Sequence, residues 1–221
     1  MIPFTTDQFL NVFEQYNVAV WPAQVFLYTI GIVVICLALP RKKDFSRSIS
    51  IVFSLFWIWM GLGLSLMVLQ RYINRAALIF AALFVLEGIL FFIAGVLKQQ
   101  LTFRFSSSLY GIVGSVFLMY ALIVYPALGY WLGHRYPAAP TFGLPCPTTI
   151  FTFGILLWTN RRVPFYVLAI PLAWSVMGFW AAISLGITQD LGLLAAGLIG
   201  SSLIILRQIP QFAALAPEGI S

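Results

Sequence analysis

The chain has 221 residues, of which 62% are hydrophobic and 8% charged. A soluble domain carries roughly 25% charged residues, so a water-facing surface of ordinary composition is excluded. The net charge of +6 does not mark a nucleic-acid binder. Its basic residues fall in short connectors between apolar runs and do not line one solvated face.

In chain order, the first element is a short amphipathic helix over residues 5–16. Thr5 and Gln8 have capping-box spacing, and Phe9, Leu10, Phe13 and Tyr16 recur at helical spacing. Two placements fit it: flat in the membrane interface, or packed on the rest of the protein. The segment does not read as a signal peptide, since it lacks a basic n-region and Asp7 precedes any apolar run.

Seven apolar segments follow, near 18–39, 49–69, 76–97, 109–131, 147–159, 164–185 and 191–206. A bilayer crossing needs roughly 20 apolar residues, and all but the fifth approach this. One set of connectors holds Arg41, Lys42, Lys43, Arg47, Lys98, Arg104, Arg161, Arg162 and Arg207; the other holds Arg71, Arg75 and Arg135. The asymmetry places the first set in the cytoplasm, the N-terminus outside and the C-terminus inside. Trp21, Tyr72, Tyr130, Trp131 and Tyr136 then gather near the outer ends, as interfacial aromatics do. The expected fold is an all-α polytopic membrane helix bundle, one integral membrane domain over 1–221 with about seven spans. Cys36 and Cys146 fall at opposite ends of it and are not expected to pair.

The first and fifth spans echo each other. Pro22-Ala23-Gln24-Val25-Phe26-Leu27-Tyr28 and Pro147-Thr148-Thr149-Ile150-Phe151-Thr152-Phe153 share Pro-x-x-(Val/Ile)-Phe-x-(Tyr/Phe). In the second and sixth, Trp57-x-x-Met60-Gly61 parallels Trp174-x-x-Met177-Gly178. This order suggests a 3+1+3 parallel repeat, a layout some transporters use, with a site between the halves near the midplane. The layout is similar to that of the sugar-transporter and PQ-loop group, although Gln24 stands one residue away from making that group's Pro-Gln pair.

Glu87 lies eleven residues into the third span, where an acid costs roughly 2.5–3.5 kcal/mol on insertion scales. It reads either as a proton-coupling or substrate-binding acid or as a structural acid bonded to a neighbouring helix. Before the short fifth span, residues 133–149 carry four prolines, which forbid a regular helix. Thirteen residues rising from the cytoplasmic face reach only about 20 Å. The start of the fifth helix would then sit below the outer surface, where irregular backbone must be buried or line a cavity. This makes Glu87, Cys146, Thr148 and Thr149 candidate neighbours at a substrate or proton-coupling site; a surface hairpin capping the bundle is the alternative. Arg71, Arg75 and Arg135 are outer-face candidates for an anionic solute or lipid headgroup.

Several chemistries lack their residues. The seventh span has no lysine for a retinal Schiff base, and His134 is the single histidine, too few for a zinc hydrolase or bis-histidine haem. No Gly-rich phosphate loop and no Ser-His-Asp set is present. No metal, cofactor or catalytic residue is assigned, and an enzyme is not expected.

Across nearly its whole length the chain resembles a family of bacterial membrane proteins catalogued only as a domain of unknown function. The resemblance is carried by Ile2 to Thr6, by Asn17 to Gln24, and above all by Tyr136-Pro137-Ala138-Ala139-Pro140-Thr141-Phe142-Gly143-Leu144-Pro145-Cys146-Pro147-Thr148-Thr149-Ile150-Phe151-Thr152-Phe153-Gly154. It implies a bacterial inner-membrane location and no established activity; some members carry a loose permease label. Three readings remain open: a small-solute permease with a polar midplane cavity, a non-transporting binding or accessory subunit with a solid core, and an intramembrane enzyme. The expected partners are the lipid bilayer, a small solute, and a second copy or another membrane subunit, with no nucleic acid.

Overall fold

The computed structural model describes residues 5–39, 43–69, 75 and 77–209. Ile2 to Phe4, Arg41, Lys42, Arg71 and Tyr72, which the sequence reading used, lie outside these. The described residues form helices α1 (Thr6–Ala19), α2 (Ala23–Ala38), α3 (Ser46–Leu69), α4 (Ala77–Leu97), α5 (Leu109–Trp131), α6 (Pro145–Leu157), α7 (Phe165–Leu185) and α8 (Leu191–Gln208), the last entered through a 3₁₀ turn at Thr188–Asp190. No strand occurs among them beyond isolated bridges. With lipid as solvent, helices satisfy their own backbone groups, so a helical bundle is the expected solution for this composition.

Five helices, α3, α4, α5, α7 and the Thr188–Gln208 unit, are long and apolar enough to cross a membrane. The pair α1–α2 makes a sixth if counted as one span bent by 86°. Pro22 at the N-cap of α2 forces the break, because the residue before a proline is pushed out of the helical region. The expected fifth span is the thirteen-residue α6, too short to count by length. The described residues thus carry five or six helices long and apolar enough to span a membrane and one half-length apolar helix, the pattern of a multi-pass helical membrane protein.

The reciprocal capping box at α1 is present: Gln8 N–H donates to Thr5 Oγ1 at 3.3 Å and Thr5 N–H to Gln8 Oε1 at 2.9 Å. The apolar stripe of α1 is received by protein. Val12 and Tyr16 bury against Met67 of α3 and Leu144, while Phe9, Leu10 and Phe13 pack on Ala182 and Leu185 of α7 and on Ile187. Thr6 Oγ1 donates to the Leu185 carbonyl at 2.9 Å. α1 thus lies as a lid across one end of the bundle.

Small residues let α3 and α4 meet backbone to backbone, the usual device where lipid offers no hydrophobic drive between helices. A Cβ at Gly61 would stand 2.7 Å from the Ala81 carbonyl, and one at Gly88 2.7 Å from that of Ser54. Gly178 of α7 likewise admits Leu193 of α8, so both glycines of the Trp-x-x-Met-Gly echo receive the following helix. The methionines differ: Met60 is buried and Met177 is half exposed.

α6 is the hub, buried on every side from Pro147 to Leu157 and packed against α3, α5, α7 and α8. A helix apolar all round belongs in the middle of a bundle. Its last carbonyls are capped from α8, where Arg207 donates to Leu157 O at 3.3 Å, Thr159 O at 2.7 Å and Thr159 Oγ1 at 2.7 Å. A cation at that end also complements the helix dipole. The guanidinium lies 5.2 Å from the centroid of the Tyr110 ring.

Candidate functional site

The irregular segment before α6 is a built structure, fastened by Asn17 at the end of α1. Asn17 is fully buried. Its amide donates to the carbonyls of Pro137 (2.7 Å) and Ala139 (2.8 Å), and its Oδ1 accepts from Thr141 Oγ1 at 3.0 Å and Gln24 Nε2 at 3.2 Å. Two partly buried carbonyls thereby find a hydrogen-bond partner. The chain then sends Phe142 into the core, against Tyr28 of α2, Phe56 of α3 and Phe151 of α6. Gly143 follows at φ +99°, where any side chain would strike Leu27, and its N–H donates to Thr148 Oγ1 at 3.0 Å. Thr148 is thus occupied in holding the turn that starts α6, while Thr149 Oγ1 is enclosed without a hydrogen-bond partner among the described residues.

Above the start of α6 lies a cavity of about 150 Å³. Its roof is Phe9, Val12 and Phe13 of α1, its sides include Leu64 of α3 and Trp174 of α7, and Tyr125, Cys146 and Asp190 supply its polar groups. An apolar cavity of this volume accepts a benzene-sized molecule. Asp190 is buried, and Tyr125 Oη donates to its Oδ1 at 2.6 Å. The thiol of Cys146 adjoins the same carboxyl. Among the described residues its partners are a phenol and a thiol, with no cation beside them.

Neighbouring bonds hold this carboxyl in place. Tyr120 Oη donates to the Gln189 carbonyl at 2.6 Å, and Gln189 Nε2 lies 3.2 Å from His134 Nδ1. The turn carrying Asp190 is thereby tied to α5 and to the segment after it. A buried carboxyl without counter-charge is costly, and here it borders a cavity that a cationic or donor group could enter.

Of the residues singled out from sequence, Cys146 lines this cavity. Thr148 and Thr149 follow it in the first turns of α6, facing inward. Glu87 does not line it. Glu87 is fully buried, one helical turn from both Phe84 and Phe91 on the same face of α4, and neither of its oxygens has a hydrogen-bond partner among the described residues. Phe84 packs on Trp57 and Trp174 and Phe91 on Phe53, so aromatic layers flank the acid on both sides. Arg75 and Arg135 are exposed, with the Arg135 guanidinium 4.8 Å from the Tyr130 ring centroid; Arg71 lies outside the described residues.

Sequence reasoning passed over Asp190 and Tyr125, and met Trp174 only in the Trp-x-x-Met-Gly echo. The available signal was the placement of Asp190 directly before a span and away from every basic residue, in Leu185-Gly186-Ile187-Thr188-Gln189-Asp190-Leu191. Tyr125 and Trp174 carried no comparable signal, since aromatics in spans are ordinary.

No curated protein and no solved structure matches the chain. Residues 6–214 match the model of a family of unknown function, DUF6064, and the chain belongs to that family.

Proposed function

We propose that this protein is a small-solute permease of a bacterial inner membrane, taking up its solute at the start of α6. The observation that carries the reading is the Asp190 carboxyl, buried and hydrogen-bonded to Tyr125 yet without a cation beside it, in the wall of a benzene-sized cavity. The matching solute is a small organic cation: one ammonium for Asp190, and an apolar body for Phe9, Phe13 and Trp174. The carboxyl orients the solute and the α1 lid separates it from the aqueous side. Glu87, enclosed and unpartnered, is the proton-coupling candidate, because intramembrane acids mark ion pathways more often than they build structure.

The experiment is uptake of benzylamine and methylamine into vesicles reconstituted with the wild type or with Asp190→Asn. The expected result is saturable uptake that falls at least about ten-fold in the variant, the loss of roughly 1.4 kcal/mol or more of binding. Equal uptake in the two removes Asp190 from the site.

A second reading is favoured by the packing beneath the cavity. Phe53, Phe56, Phe142 and Phe151 form a continuous aromatic layer there, which suits a binding or accessory subunit that holds the solute without passing it on. Binding of benzylamine without flux selects this reading.

A further inference from the structure

At the end of the bundle opposite α1, the connectors are braced against each other by backbone. Phe103 and Thr159 form an antiparallel bridge, Arg104 N–H donates to the Trp158 carbonyl at 2.7 Å, and Asn160 N–H donates to that of Thr102 at 2.9 Å. This brace holds Arg104 and Arg161 over an open cleft of about 260 Å³, whose other wall carries Lys43. One acid, Asp44, shares the cleft. Its Oδ1 is already taken by the N–H of Ser46 at 2.8 Å and Ser46 Oγ at 2.6 Å, so it caps the start of α3.

The three cations keep donors to spare. Arg161 spends one N–H on the Gln99 carbonyl at 3.3 Å, and a guanidinium has five. Lys43 lies 5.4 Å from the Phe45 ring centroid. The cleft is also amphipathic, because its rim includes Leu37 and Leu39 at the end of α2. Above them the outer face of α2 presents exposed Val25, Phe26, Ile32 and Val33. Three cations at the end of apolar spans, with an apolar helix face running away from them, match a molecule with a phosphate at one end and acyl chains at the other.

We propose that this cleft is a binding site for an anionic phospholipid, its phosphate held by Lys43, Arg104 and Arg161 and its chains lying along α2. The full chain, purified in detergent, is titrated with phosphatidylglycerol or phosphatidylcholine, and retained lipid is counted by native mass spectrometry. The wild type is expected to prefer phosphatidylglycerol. Arg104→Gln should weaken that preference about five-fold, Arg104→Lys should restore most of it, and the triple change K43Q/R104Q/R161Q should abolish it. Arg162→Gln removes an equal charge from a residue outside the cleft lining and should leave the preference unchanged. A thermal unfolding midpoint shared by all variants confirms that each is folded. Equal losses in R162Q and R104Q would reduce the effect to general surface charge and overturn the site. Loss of phosphatidylglycerol to inorganic phosphate at millimolar concentration would assign the cleft to a soluble phosphate and overturn the lipid. A triple variant that keeps the preference would also overturn the proposal.

Discussion

Tyr125 and Asp190 are joined by a 2.6 Å hydrogen bond across sixty-five residues of sequence, and this bond fixes the carboxyl at the wall of the cavity above α6. Tyr125 is buried just beyond the π-helical stretch Tyr120–Val124 of α5. Its neighbour Pro126 lacks the N–H that a regular turn would use there, and such breaks re-aim side chains at functional sites. Tyr125→Phe keeps the ring and removes the donor. Thermal unfolding in detergent should show a loss of about 1–3 kcal/mol, the usual cost of leaving a buried acceptor unpaired.

Asn17→Ala releases two partly buried carbonyls of the segment before α6. The two bonds together should cost about 1–2 kcal/mol, and limited proteolysis should cut between residues 134 and 141 faster than in the wild type. A variant as stable and as resistant as wild type would show that Phe142, seated in the core, holds the segment without Asn17.

Gly88→Ala places a methyl 2.7 Å from the Ser54 carbonyl and 2.7 Å from Ile58 Cγ1. The α3–α4 pair cannot absorb this without moving apart. Overpacking of this kind costs about 1–3 kcal/mol, read as a lowered unfolding midpoint in the same detergent.

Glu87→Leu separates function from structure. Neither oxygen of Glu87 has a hydrogen-bond partner among the described residues, so an apolar residue of similar size should stabilise the protein by about 1–3 kcal/mol. If the acid couples uptake to protons, the same variant should lose accumulation of benzylamine against a gradient. A destabilised variant would assign Glu87 a structural bond and end its coupling role.

Local features were legible in the sequence where a short-range rule governs them. The Thr5–Gln8 box and the non-helical backbone over residues 133–144 follow from one to four neighbouring residues, and both appear in the structure. The span expected over 18–39 instead breaks at Pro22, and α6 begins at Pro145, inside the stretch expected to be irregular, because prolines are tolerated in a first helical turn. The half-length of α6 was readable from Pro147 to Thr159 alone. Its position as the hub was not, because apolar residues look alike whether they face lipid or protein. The site was read only in part for the same reason. Cys146 drew attention through its prolines, while Asp190 reached the cavity through pairing with Tyr125, a contact no local pattern encodes. Glu87 drew attention by its depth, but depth does not say which face of α4 carries it or which space it borders.

A small cation held beside Asp190 and Cys146 would shield that thiol from reagents in solution. Cys36 and Cys146 are both free thiols, so a Cys36→Ser protein carries one thiol, inside the proposed site. The decisive measurement is the rate at which methyl methanethiosulfonate modifies Cys146 with and without benzylamine. Benzylamine should slow modification at least about ten-fold when near saturation, and Asp190→Asn should remove that protection. A rate indifferent to benzylamine in the protein that keeps Asp190 would show that no cation binds there.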